Sequence, residues 1–289
     1  MNAERTMKPL VMPAGHNYIG VFLTFACNYR CAYCINRFEE KLISRKTMPG
    51  RDWIAALNRI ESTPDLPVTL QGGEPSLHPD FLEIVGGIDP RLRVDILTNI
   101  QFDVDRFMAR VGPERVKRDA PYASIRVSYH PAVMDLEETA GKVRKMMDKG
   151  YSVGLWGVMH PAQVDAVEAA RRRCRELGID FRTKEYLGEH GGEMHGEYKY
   201  AGACDRKSAR KVRCRTTELL VDSAGSVYRC HHDLYQGVNV VGHILDPGFQ
   251  IEDVFRDCGV FGHCNPCDVK VKTNRFQVHG HTSVEIEGA

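Results

Sequence analysis

The stretch TFACNYRCAYCIN, residues 24–36, sets Cys27, Cys31 and Cys34 in a CxxxCxxC spacing. Three thiolates this close in the chain can reach one inorganic centre, yet they do not complete the four-ligand shell of a structural zinc ion. A cubane [4Fe–4S] cluster accepts them: three irons take the three thiolates, and the fourth stays open for a substrate or cofactor. The plainer readings are a cluster that only passes electrons, and a chance grouping of buried thiols.

What flanks this stretch decides the fold. YIGVFLTF (18–25) runs into it, and similar β-rich runs return at PVTLQG (67–72), RVDILTN (93–99), ASIRVSY (123–129), SVGLWGVM (152–159) and DFRTKEYL (180–187). Helical patterns lie between them. MPGRDWIAALNRIES (48–62) has Pro49 suited to a first turn, and PAQVDAVEAARRRCRELG (161–178) closes on Gly178 as a stop. Six βα units predict an α/β protein with a partial (β/α)6 TIM-like barrel, whose chemistry gathers at the C-terminal strand ends. The cysteines, GGEP, Asn99, and Ser128 with His130 all fall at such ends. Near residue 200 the pattern breaks into GEHGGEMHGEY and a hairpin-like TTELLVDSAGSVYRC. The expected organisation is therefore an N-terminal extension (1–16), a barrel (17–200) and a small C-terminal domain of hairpin plus helix (201–289).

Composition narrows the partners. At 289 residues and 43% apolar content there is ample material for a core, and a net charge of +1 gives no reason to expect nucleic acid or an acidic membrane. RKSARKVRCR (206–215) is locally basic and reads as a solvated face. No run approaches the ~20 apolar residues of a membrane span, and the N-terminus has no signal-like apolar stretch. The expected location is cytoplasmic, where ten cysteines are better explained by metal than by disulfides.

At the cysteine loop the chain resembles the radical S-adenosylmethionine (SAM) superfamily, and Tyr33 before the last cysteine fits that pattern. The resemblance implies a cluster that binds SAM at its open iron and, on reduction, cleaves it to a 5′-deoxyadenosyl radical that abstracts a substrate hydrogen. It also implies a flavodoxin- or ferredoxin-type electron donor. QGGEPSLHP (71–79) is similar to the family's GGE segment: Gly72 and Gly73 would let backbone approach the ligand, and Glu74 would pair with the SAM ammonium. Asn99, Ser128, Val158 and Met159 stand where relatives contact SAM, and each also reads as an ordinary strand-terminal residue.

A second set, Cys214, Cys230, Cys264 and Cys267, ends in HCNPCD and suits a fully ligated site, zinc and iron–sulfur both being eligible. With VDSAGSVYRC and VVGHILDPGFQIEDVF around it, this part resembles a twitch domain, the shortened SPASM extension, which implies an auxiliary [4Fe–4S] cluster. Cys174 reads as a core thiol; Cys204 and Cys258 are free thiols or hydrogen-atom donors. His231 and His232 are surface residues or cluster neighbours, and Arg182 and Lys184, two apart on a strand, share a face that is either solvated or holds an anion.

The leading expectation is a radical SAM oxidoreductase that dehydrogenates a small molecule and passes the electron to the auxiliary cluster. Modification of a ribosomally made peptide is the alternative, made less favoured by the sixteen residues before the first strand, too few for a peptide-recognition domain. A redox-neutral epimerase would need Cys204 or Cys258, and a non-catalytic electron carrier would not turn SAM over. A zinc hydrolase lacks its HExxH pair.

Overall fold

The computed structural model describes residues 7–36, 46–63, 66–117, 119–272 and 281–288. Residues 1–6 of the expected N-terminal extension and 273–280 of the expected C-terminal domain lie outside the described residues. All six expected barrel strands form: β1 (Tyr18–Thr24), β2 (Val68–Gly72), β3 (Val94–Thr98), β4 (Ile125–Tyr129), β5 (Val153–Met159) and β6 (Phe181–Glu185). Each pairs in parallel with the next, and the helices α1 (Gly50–Asn58), α2 (Phe81–Gly87), α3 (Val104–Arg110), α4 (Leu136–Asp148) and α5 (Val164–Glu176) make the crossovers. Central β1 is apolar on both faces, Ile19, Val21, Phe22 and Leu23 all being buried, as expected of a parallel strand covered on both sides. Trp53 of α1 and Phe107 of α3 pack fully buried against this sheet.

Local stops are as read from the residues, with one difference. Gly178 has φ +71° directly after the last turn of α5, a left-handed conformation that glycine adopts without steric cost. Pro49 sits at the cap of α1, but that helix ends at Asn58, before the RIES segment. Ile60–Glu61 instead pairs in parallel with Leu10–Val11, because β-branched Ile60 gains a ladder partner and a buried site there.

Beyond residue 200 come β7 (Arg210–Thr216), β8 (Glu218–Val221), β9 (Ser226–Tyr228), α6 (His231–Gln236), β10 (Gly242–His243), β11 (Arg256–Phe261), α7 (Pro266–Val269) and β12 (Val284–Glu287). The expected hairpin is β8–β9, but it does not stand apart from the barrel. β8 pairs in parallel with β1, Glu218 opposite Tyr18 through Val221 opposite Val21, so the large sheet runs β10-β9-β8-β1-β2-β3-β4-β5-β6. ELLV is buried at every position, which makes it a seventh parallel core strand. Outside that sheet, β7 pairs antiparallel with β11 on one side and β12 on the other.

A single side chain ties these parts together. Buried Arg59 donates to the carbonyls of Lys8 at 2.7 Å, Ile244 at 3.1 Å, Asp246 at 2.6 Å and Phe249 at 3.3 Å. Arg59→Ala leaves these carbonyls unmatched, and a loss of about 2–4 kcal/mol is expected. A drop in the denaturant midpoint checks it; an unchanged midpoint means the segments hold together without Arg59.

Candidate active site

The strand ends open on a cavity of about 290 Å³. Of the expected residues, Cys27, Cys31, Cys34, Tyr33, Gly72, Gly73, Glu74, Asn99, Ser128 and Val158 line it. Met159 does not: strand alternation turns its side chain away from Val158's side, and it packs half-buried against the hydrophobic core.

The cysteine loop is set by the GGE turn. Gly73 N–H donates to the Thr24 carbonyl and Glu74 N–H to the Ala26 carbonyl, both at 2.8 Å. Gly72 has φ +149°, and a Cβ there would overlap the Thr24 carbonyl oxygen; a Cβ on Gly73 would overlap that of Ala26. The glycines thus answer first to the protein's own backbone, where the expectation had them admitting a ligand.

Glu74 is buried, and its carboxylate organises the next two strand ends. Oε1 accepts from Thr98 Oγ1 at 2.7 Å, Ser76 Oγ at 2.6 Å and Ser76 N–H at 3.1 Å, while Oε2 accepts from Asn99 N–H at 2.7 Å. Among the described residues no cation pairs with it. With one recorded donor, Oε2 retains acceptor capacity on a residue that lines the cavity, where a cationic partner would be matched. Asn99 has its side chain spent on structure: Nδ2 donates to Asn28 Oδ1 at 2.7 Å, inside the cysteine loop, and Oδ1 accepts from Gln101 N–H at 3.1 Å. Ile100 follows with φ 57°, rare for a β-branched residue and a sign of local strain.

The loop thiols are mutually coupled. Burial first, then the charges of Cys34 and Cys27, push the Cys31 thiol up to about 11, and burial with Glu74 and Cys34 raises Cys27. Three thiolates together are thus unfavourable unless a metal centre balances them. Among the described residues, the one grouping of three ligand atoms within 4.8 Å is Glu218, His231 and Asp268. Three thiolates lining one cavity with no fourth protein ligand in the motif fall short of a structural zinc shell and match the donor set of a cubane with one iron left free.

Residues that the motifs did not single out as ligand contacts complete the mouth. The Tyr33 hydroxyl lies 2.8 Å from His130 Nδ1; burial and then Lys184's charge hold His130 down to about 4, so a neutral ring accepts the phenolic proton. The His160 ring is tilted against Tyr33 at a centroid distance of 5.4 Å and meets Tyr186 and His190 edge-on, each at 4.6 Å. The clustered histidines in GEHGGEMH were the signal for this wall. Lys184 lines the cavity, whereas Arg182 pairs with Asp180 at 2.9 Å and bonds the Pro121 carbonyl at the exposed end of β6. The shared face therefore splits, the barrel taking only its upper residue.

Of the second cysteine set, Cys267 lines the same cavity. Cys214 and Cys258 are buried against each other with Cys230 beside them; a thiol–thiol hydrogen bond raises Cys214 and lowers Cys258. Cys264 packs with Cys204, whose thiol donates to the Cys264 carbonyl at 3.6 Å. Arg229, paired with Asp233 at 2.6 Å, brings positive charge to Cys214, Cys230 and Cys258. Cys204 and Cys258, read as free thiols or hydrogen-atom donors, are outside the cavity lining. His231 and His232 are buried. His231 Nδ1 meets Asp268 at 2.9 Å, and that bond and charge raise it against the opposing effect of burial. Cys174 is the core thiol expected.

The radical SAM superfamily model matches residues 21–191, more than half of the chain. The chain belongs to the radical SAM superfamily. That family brings a [4Fe–4S] cluster and SAM, whose reductive cleavage supplies a 5′-deoxyadenosyl radical. The chain is 31% identical over 119 residues to a GTP 3′,8-cyclase of Klebsiella pneumoniae subsp. pneumoniae, a span of 38% of this chain and 33% of that protein. It is 26% identical over 188 residues to the GTP 3′,8-cyclase of Listeria monocytogenes serotype 4b, covering 60% and 54%. The chain thus spans between a third and just over half the length of these cyclases. With the mycofactocin maturase MftC of Mycobacterium tuberculosis it shares 22% identity over 313 residues, 85% of this chain and 75% of that protein. The solved structure of anSMEcpe with bound AdoMet superposes with a TM-score of 0.55 at 15% identity, covering 82% and 76%, and supports the fold.

Two variants probe this geometry. Gly73→Ala should displace the loop and lose about four irons per chain, the content of one cubane, by iron assay after anaerobic reconstitution; full iron content would show that the loop tolerates the methyl. Glu74→Gln should weaken SAM binding about tenfold in equilibrium dialysis, the cost of one charge-assisted contact, and unchanged binding would remove Glu74 from the site.

Proposed function

We propose that the protein is a radical SAM oxidoreductase that removes hydrogen from an organic substrate and hands the leftover electron to an auxiliary iron–sulfur cluster. Cys27, Cys31 and Cys34 would hold the SAM-binding cluster, with Glu74 Oε2 toward the SAM ammonium. Tyr33, Gly72, Gly73, Asn99, Ser128, Val158 and the Met159 backbone would shape the SAM site. Cys214, Cys230, Cys264 and Cys267 would supply the auxiliary centre, with Arg229 offsetting its negative charge.

The observation that carries this reading is that Cys267 lines the cavity entered by the cysteine loop. A substrate there touches both cysteine regions, as electron removal after hydrogen abstraction requires. The epimerase reading loses support because Cys204 and Cys258 are outside that lining. A small molecule is the first substrate class, since the cavity is of modest volume. A peptide is the second, favoured by similarity over most of the chain to a maturase and by the fold shared with anSMEcpe, which has been solved with a peptide. The electron would come from a flavodoxin- or ferredoxin-type protein. No helix among the described residues is long and apolar enough to cross a membrane, in keeping with a cytoplasmic enzyme.

Reduction of the anaerobically reconstituted chain with SAM should yield 5′-deoxyadenosine, detected by chromatography, from a protein with about eight irons, two cubanes' worth. No 5′-deoxyadenosine from an iron-replete protein would sink the radical reading; about four irons would sink the auxiliary cluster.

A further inference from the structure

The β6 side of the cavity has more hydrogen-bond donors than acceptors. Lys184 and Lys270 both line it, and among the described residues neither ammonium has a hydrogen-bond or ion-pair partner. Elsewhere on the lining, Gln71 of β2 has its buried Nε2 unmatched, and outside the lining Arg126 of β4 keeps a buried Nε unmatched although its NH2 pairs with Asp95 at 3.1 Å. Against these stand few acceptors. Among the described residues Glu185 is the one carboxylate lining this side, and it already accepts from Glu197 N–H at 3.3 Å. Glu74 accepts from Ser76, Thr98 and Asn99 and is the group assigned above to the SAM ammonium.

The buried donors Gln71 Nε2 and Arg126 Nε are costly to leave unmatched, and two ammonium groups facing one space repel. Burial first, then Arg126 and Lys270, pull Lys184 down to about 7, the same crowding read from the lysine itself. A negatively charged ligand group balances the two ammonium groups, which a neutral or cationic ligand does not. We propose that Lys184 and Lys270 form a binding site for an anionic group of the substrate, a carboxylate or a phosphate, across the cavity from the SAM-binding cysteines. The inference rests on the function proposed above for its statement that the occupant is the substrate. The cavity then divides by charge: the Glu74 side takes the ammonium of SAM, and the lysine side takes the anion.

The test is titration calorimetry on the anaerobically reconstituted full chain with SAM, in an anion-poor buffer, with inorganic phosphate and succinate as probes. One of them should bind at one site per chain, and Lys184→Met and Lys270→Met should each weaken it at least tenfold. Lys145→Met, which removes a surface ammonium paired with Asp105 at 2.6 Å, should leave it unchanged. Phosphate alone or succinate alone supports the site and names the anion. Binding of neither, or equal binding in both variants, overturns it. If wild type makes 5′-deoxyadenosine yet binds no anion, the lysine site fails and the radical reading stands; anion binding without 5′-deoxyadenosine keeps the site and fails that reading. Labelling of wild type with pyridoxal 5′-phosphate guards against unfolded variants. Its aldehyde condenses with a lysine amine, releasing water, and borohydride reduces the imine to a stable amine located by mass spectrometry. Labelling of Lys184 or Lys270 that phosphate or succinate blocks supports the proposal, and labelling elsewhere only overturns it.

Discussion

The mouth of this barrel depends on the docking of the cysteine loop onto the GGE turn through two backbone hydrogen bonds, from Gly73 to Thr24 and from Glu74 to Ala26. Both need bare glycine backbone, since a methyl at Gly72 or Gly73 would drive out the carbonyls. Once the turn is seated, Glu74 lies where Thr98 Oγ1 and Asn99 N–H reach its carboxylate, and Asn99 reaches back to Asn28 between the first two cysteines. The ends of β1, β2 and β3 are thereby locked into one unit by short polar contacts. A site that must hold a metal centre and a cationic cofactor in register gains from such mutual constraint, because no single strand end can shift alone.

That unit is also tied to the C-terminal region. Tyr235 of α6 donates from its hydroxyl to Asn36 Oδ1 at 2.7 Å, and Asn36 in turn bonds the Gly72 carbonyl. Phe22 of β1 packs edge-on to the rings of Tyr235 and His231. The two cysteine regions therefore share one wall, which gives a physical reason for the cavity to see both Cys34 and Cys267.

Most of the barrel was legible because parallel strands bury both faces and so read as apolar runs, and because glycine, proline and cysteine mark its breaks. The Cys27, Cys31, Cys34 and GGE assembly was legible for the same reason: rare residue types at strand ends. Other features turn on long-range pairing, which no local pattern encodes. ELLV was read as one arm of a hairpin, and nothing in those four residues says that the other neighbour is β1, some 200 positions earlier. The reach of Cys267 into the cavity depends on the path of α7, and the sorting of Lys184 from Arg182 depends on which end of β6 is covered.

The pattern of buried charge explains why the C-terminal region packs in this way. Glu218 of β8 accepts from Lys272 Nζ at 2.7 Å and from Ser283, and its second oxygen faces His231 at 3.5 Å. His231 meets Asp268, which also accepts the first N–H groups of α6, from His231 and His232. Four charged or chargeable groups are thus buried together, and their mutual attraction offsets a desolvation cost that none could bear alone. Lys272 and His231 supply the positive charge, so the trio Glu218, His231 and Asp268 is accounted for without a metal ion. Because Asp268 adjoins Cys267, and Cys230 caps α6 next to His231, the network fixes the backbone on which two expected auxiliary ligands sit. The barrel strand β8 thereby helps set the positions of Cys230 and Cys267 as the GGE turn sets the first cysteine loop, and the spacing between the two cysteine regions becomes a property of the sheet.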